Sequence, residues 1–166
     1  MTAISEMYPE YYHTPEMIEK ISSVAVLHDI GKISIPDVIL NKDSKLTRDE
    51  FEIMKQHTIK GCEILTTIPE DMMDRETFNL SYDICRHHHE RWDGGGYPDG
   101  LKGDDISVYA QAVAVADVYD ALTSPRVYKA AYPHEKAVEM IFDGECGCFN
   151  PKILKAFEMI AGKVKK

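Results

Sequence analysis

The sequence predicts an all-α domain. Apolar residues recur at three- and four-residue spacing through successive stretches, and cap and turn signals fall between those stretches. Strand-type alternation is nearly absent; the Ile33-Ser34-Ile35 alternation ends at Pro36. Residues 1–13 form a weakly defined N-terminal segment, because Tyr8 to His13 is aromatic and polar without a clear period. Thr14-Pro15 opens the first strong helix, since Thr can cap and Pro suits the first turn. Ile18, Ile21 and Ala25 share one face, His28 continues the stripe, and Gly31 is read as the stop. Thr47 to Glu50 has capping-box spacing. Behind it, Phe51, Met54, Gly61, Leu65 and Ile68 predict one long amphipathic helix that also carries His57. A further helix is expected from about Arg75 to Glu90, and the five glycines between Asp93 and Gly103 mark a loop. Ile106 to Ser124 reads as helix, with Ala110, Val113, Asp117 and Asp120 along one side. Pro133-His134-Glu135 opens a helix through Phe142, and Asn150-Pro151 opens the last, with Ile153, Leu154, Phe157 and Ile160. Residues 163–166 are a basic tail.

The 166 residues suit one domain able to bury a core, and 44% hydrophobic content is too high for a disordered segment. A net charge of −9 argues against a binder of DNA or RNA polymers. It also means that a polyanionic substrate would need local positive charge, from Lys, Arg or metal. The longest apolar run noted, Val24 to Leu27, is far short of a membrane span, and Met1 to Glu6 lacks the look of a secretory signal. Cys62, Cys85, Cys146 and Cys148 show no CxxC pairing. Reduced cysteines in a cytoplasmic protein are therefore expected.

Four segments place His or Asp where a core-facing stripe should be apolar: His28-Asp29, His57, His87-His88-His89 and Asp117. One such residue alone is more often a hydrogen-bonded core group. Four together are costly to bury without a partner, and a cation is the economical one. Nitrogen and carboxylate ligands without thiolate suit iron, manganese or other octahedral first-row metals better than structural zinc. An Asp has two oxygens and can bridge two metals; water shared between two cations is acidified and can attack phosphorus in line.

These residues carry a resemblance. His28-Asp29-Ile30-Gly31-Lys32 with Ile35-Pro36-Asp37 resembles the signature of the HD-domain phosphohydrolases. His88-His89-Glu90-Arg91-Trp92-Asp93-Gly94-Gly95-Gly96-Tyr97-Pro98 resembles the extended signature of the HD-GYP subfamily. Gly100 to Gly103, Ala116 to Ser124 and Arg126 to Lys129 match in the family's order, so the resemblance runs from about Thr14 to Phe157 within a domain set at residues 14–162. It implies a helical bundle with the Gly-Tyr-Pro loop beside a metal site, and hydrolysis of cyclic di-GMP, a bacterial second messenger. By position it implies metal ligation by His28, Asp29, His57, His88, His89 and Asp117, with Asp29 bridging and His87 outside the set. Lys32 would bind a phosphate oxygen or help the leaving group. Tyr97, Arg126 and Lys129 would bind substrate, and Asp120 would orient a metal ligand or Lys32.

The family's usual preceding helix carries a Glu and a His one turn apart. The 13 residues before Thr14 offer only Glu6, Glu10 and His13, and none fits. The expectation is therefore two divalent metal ions, iron or manganese, rather than three. An apolar groove favouring a homodimer is also expected where that helix would pack. Alternatives are another cyclic dinucleotide or phosphoester as substrate, or a non-catalytic module whose Gly-Tyr-Pro loop binds signalling domains. All six remaining ligands are present, which favours catalysis.

Overall fold

The computed structural model describes residues 1–125 and 130–163. Among them the regular structure is wholly helical: α1 (Thr2–Met7), α2 (Pro15–Ala25), α3 (Asp37–Leu40), α4 (Arg48–Lys55), α5 (His57–Leu65), α6 (Arg75–His87), α7 (Val108–Thr123), α8 (His134–Phe142) and α9 (Pro151–Ala161). Short 3-10 segments add Pro9–Tyr11, Val26–Ser34 and Gly103–Asp105.

The helix starts follow the local chemistry expected of them. The Thr14 hydroxyl accepts from the Met17 amide, and Thr47 with Glu50 forms the reciprocal capping box. Ser107 and Asn150 cap α7 and α9 with their side-chain oxygens. One core joins Ala3 and Ile4 of α1 to Ala114, Val115 and Val118 of α7, Ile141 of α8, and Ile153 and Phe157 of α9. A second joins Ile21 and Val24 of α2 to Leu80 and Ile84 of α6 and Val113 of α7. The start of the chain is thus a helix built into the core, not a weakly defined segment. Its periodicity escapes sequence reading because six residues span too few turns.

Two expected helices are broken. The first ends at Ala25, and the chain tightens into the 3-10 segment Val26–Ser34 instead of stopping at Gly31. Ser22 and Ser23 hydroxyls donate to the Ile18 and Lys20 carbonyls, and His28 Nδ1 lies 2.7 Å from the Ala25 carbonyl; these bonds compete with the α-helical pattern. The long helix expected from Thr47 to Ile68 is two, α4 and α5, divided at Gln56. There His57 Nδ1 bonds the Met54 carbonyl and the Thr58 hydroxyl donates to the Lys55 carbonyl, taking acceptors that an unbroken helix would use.

Gly31 has a different task. A Cβ there would lie 1.9 Å from the His57 carbonyl oxygen and 2.4 Å from the Gly61 amide nitrogen. A Cβ on Gly61 would lie 2.3 Å from Cys85 Sγ. Gly31 lets the 26–34 segment meet the α5 backbone directly, Gly61 leaves room for the Cys85 side chain of α6, and this close packing brings Asp29, His57 and His88 together.

Candidate metal centre

His28 and Asp29 come from the 3-10 segment, His57 from the first position of α5, and Asp117 from the middle of α7. His88 and His89 directly follow α6. His57 Nε2 stands 3.4 Å from Asp29 Oδ1, and His88 Nε2 stands 3.9 Å from the same oxygen. His28 Nε2 is 3.3 Å from Asp29 Oδ2 and 3.7 Å from Asp117 Oδ1. Two groups each bring one potential ligand atom per residue within 4.8 Å of one another: Asp29, His57, His88 and His89, and His28, Asp29 and Asp117. Asp29 belongs to both.

The donor set fits metal ions. His28 Nδ1 lies 2.7 Å from the Ala25 carbonyl, His57 Nδ1 lies 2.7 Å from that of Met54, and His88 Nδ1 lies 3.0 Å from that of Cys85. A carbonyl only accepts, so each Nδ1 carries a proton, and the neutral His57 and His88 rings present an Nε2 lone pair inward. Asp29 Oδ1 is buried with no hydrogen-bond partner, although two imidazole nitrogens face it. A buried oxygen opposed by lone pairs is destabilising, and a cation between them removes the conflict.

The electrostatics agree. Burial pushes His57 down, His88 down to about 4 and His89 further, so these imidazoles are neutral at pH 7 and ready to ligate. At His28 burial opposes charge, but Asp117 and Asp29 outweigh it and push the pKa up to about 10. A proton there occupies the position between an imidazole and two carboxylates that a cation can take. Burial works against ionisation of Asp29, but His28 and Lys32 hold its carboxyl well below the usual range.

Lys32 Nζ donates to Asp29 Oδ2 at 2.5 Å and lines a cavity of about 630 Å³ together with His57, His89, Asp117 and Tyr97. The Tyr97 ring stacks on His89, with centroids 4.7 Å apart and planes at 28°. Asp120 lies at the exposed side of α7, where its Oδ1 accepts from Ser124. Arg126 and Lys129 lie outside the described residues. His87 points away from the cluster, between Asp83 and Asp99. Glu10 pairs with Lys152, and His13 lies against Tyr109; neither joins a ligand group.

Sequence reading passed over Glu90, which is 2% exposed. Its Oε1 accepts from the Asp99 and Gly100 amides at 2.7 and 3.1 Å, and its Oε2 from the Leu101 amide at 3.0 Å. That carboxylate ties the far end of the glycine-rich loop to the base of the His pair. Gly96 lets the loop double back, since a Cβ there would lie 2.4 Å from the Arg91 nitrogen and the Glu90 Cα. A charged residue next to a ligand pair, followed by amides of glycine-rich loop, was the available signal.

An all-α bundle on which His and Asp side chains from four separate segments gather into two candidate ligand groups has the arrangement of the HD-type metal-dependent phosphohydrolases. The family model described as HD domain matches residues 5–152. The chain belongs to the HD domain family, and its signature segments place it in the HD-GYP subfamily. It is 40% identical over 158 residues to a cyclic di-GMP phosphodiesterase of Vibrio cholerae, covering 94% of this chain and 32% of that protein. It is 39% identical over 137 residues to 3'3'-cGAMP-specific phosphodiesterase 2 of the same organism, covering 82% of this chain and 25% of the relative. Among solved structures it resembles an HDG"Y"P protein from Bdellovibrio bacteriovorus with a TM-score of 0.69 and 19% identity, over 96% of this chain and 48% of the other. That likeness speaks for the fold. The chain spans about a third of the length of the curated relatives it matches. No helix among the described residues is long and apolar enough to cross a membrane.

Proposed function

We propose that this chain is the catalytic part of a metal-dependent phosphodiesterase that hydrolyses cyclic di-GMP. The observation that carries the reading is the sharing of Asp29 between two ligand groups, with its buried Oδ1 unpaired. Two divalent ions, iron or manganese, would be held by His57, His88, His89 and Asp29 on one side and by His28, Asp117 and Asp29 on the other. When bound, such a pair supplies positive charge to the phosphoryl oxygens and an acidified water as nucleophile. The chain's own groups do the rest. Lys32 stands beside Asp29 at the cavity wall, where its ammonium can donate to a phosphoryl oxygen or to the departing one. Tyr97 packs against His89 and fixes the face of that ring. Arg126 and Lys129 are assigned to phosphate binding on the strength of the family pattern. Local positive charge also answers the repulsion that a −9 chain would exert on a dinucleotide.

A second reading has a specific observation in its favour: a relative at 39% identity is named for 3'3'-cGAMP. The deciding experiment is anaerobic purification, iron and manganese counts per chain, and parallel cleavage assays on cyclic di-GMP and 3'3'-cGAMP. Metal on the chain with faster turnover of cyclic di-GMP supports the proposal. Preference for 3'3'-cGAMP transfers the assignment to the second reading. Negligible metal after reconstitution, with neither substrate cleaved, overturns both.

A further inference from the structure

The helix α4 is amphipathic, yet none of its residues is fully buried. Its aromatic residue, Phe51, is 46% exposed and faces the cavity that holds His57, His89 and Asp117. An exposed Phe on a helix is ordinary in isolation. Here it lies in a run of rings that begins at a candidate metal ligand. Tyr97 stacks on His89, and Phe51 meets Tyr97 edge to face, with centroids 6.1 Å apart and planes at 85°. Lys55 Nζ sits 5.7 Å from the centroids of both Phe51 and Tyr97. Lys42, paired with Glu50, and Lys45 line the same cavity.

The wall beyond the metal centre thus offers a half-exposed aromatic ring flanked by three lysines, of which Lys42 and Lys55 are paired with Glu50 and Glu52. A nucleotide presents the complement: a flat aromatic base joined to an anionic phosphate. Every base has a π-face, so stacking on Phe51 requires no particular hydrogen-bond pattern, and the neighbouring lysines suit the phosphate to which the base is joined. We propose that Phe51 is a stacking surface for a nucleobase of the substrate. The inference rests on the reading of this cavity as a cyclic-dinucleotide site, and it adds a binding residue outside the HD and Gly-Tyr-Pro signatures.

The test is calorimetric titration of the manganese-loaded chain with two probes: GMP, and a bis-phosphorothioate analogue of cyclic di-GMP chosen to resist hydrolysis. Phe51→Ala should weaken both by about 5- to 150-fold, the range found when a stacking aromatic is removed. Phe51→Trp should bind at least as tightly as the wild type. Manganese per chain should be equal in all three proteins, which separates loss of the shelf from loss of the centre. Unchanged affinity in Phe51→Ala overturns the proposal, as does Phe51→Trp binding as weakly as Phe51→Ala, or loss of manganese in step with affinity. A wild-type chain that binds neither probe also overturns it. If the wild type binds the probes and Phe51→Ala does not, while cyclic di-GMP itself is never cleaved, the phosphodiesterase reading falls and the stacking surface stands.

Discussion

Replacing Gly31 by Ala should damage both stability and the metal centre, although the side chain added is one methyl group. The new Cβ would lie 1.9 Å from the His57 carbonyl oxygen, 2.4 Å from the Gly61 nitrogen and 2.8 Å from the His57 carbonyl carbon. All three are backbone atoms, so no side chain can turn aside. Real Cβ contacts essentially never fall below 3.0 Å, so the 26–34 segment and α5 must part by at least about 1.1 Å. A Gly→Ala change that fits stabilises by about 0.4–1 kcal/mol through the unfolded chain. Overpacking costs about 1–3 kcal/mol and more where the backbone must move, so the clash wins. Taking about 3 kcal/mol, a domain of this size should lose roughly 6–12 °C in Tm. The same displacement separates Asp29 from His57, whose ligand atoms now lie 3.4 Å apart, and manganese affinity should fall with it. Thermal unfolding by circular dichroism and metal counts per chain measure the two effects. Gly162→Ala is the control: nothing lies within 4 Å of its Cβ position and its φ is −63°, so it should be neutral or slightly stabilising. A Gly31→Ala protein that melts within 2 °C of wild type and keeps its metal would refute the account of how the three elements meet.

Asp29→Ala should abolish metal binding and turnover together, and the rise in Tm that manganese should give the wild type by binding its folded state should be absent from the variant; retained turnover would remove Asp29 from its bridging role. Glu90→Gln leaves an amide NH₂ facing loop amides that need an acceptor, so it should cost about 1–3 kcal/mol in urea unfolding and speed hydrogen exchange at Asp99, Gly100 and Leu101. Arg86 binds Asp99 through two hydrogen bonds, and this holds the Asp99 carboxyl below its ordinary pKa. A depressed carboxyl stabilises the fold above its unfolded pKa, near 3.9, and that contribution is lost as pH falls through the folded value. The stability advantage of wild type over Asp99→Asn should therefore be present at pH 7 and shrink steadily below pH 4, measured by urea unfolding at each pH. An advantage that grows toward acid would contradict the pairing.

The helical class, the caps at Thr14, Thr47 and Asn150, and the convergence of His28, Asp29, His57, His88 and Asp117 were all legible, because charged groups interrupted stripes whose period was otherwise apolar. The breaks at Ala25 and Gln56 were not. A helix that pauses for one turn in a 3-10 or side-chain-bonded step keeps its residues near the same face, so periodicity runs across the gap without a mark. The Gly31–Gly61 crossing was equally hidden, since a glycine near a helix end reads as a stop unless the opposing backbone is known. Glu90 was missed for a related reason: its partners are amides of Asp99, Gly100 and Leu101, and the glycines of the loop hint at free amides without showing which carboxylate they meet. Phe51 reads in the sequence only as the first position of an amphipathic stripe; the cavity beside α4 shows that this end of the stripe faces open space while Gly61 and Leu65 are buried.

The imidazoles of His28, His57 and His88 are steered by main-chain carbonyls of Ala25, Met54 and Cys85. No side chain supplies that steering, so no single substitution at those three positions deletes the acceptor. The aim of the rings is inherited from the backbone path alone. Exchanging the side chains of Ala25 or Met54 therefore leaves the acceptors of His28 and His57 in place, whereas Cys85 is held by its packing against Gly61.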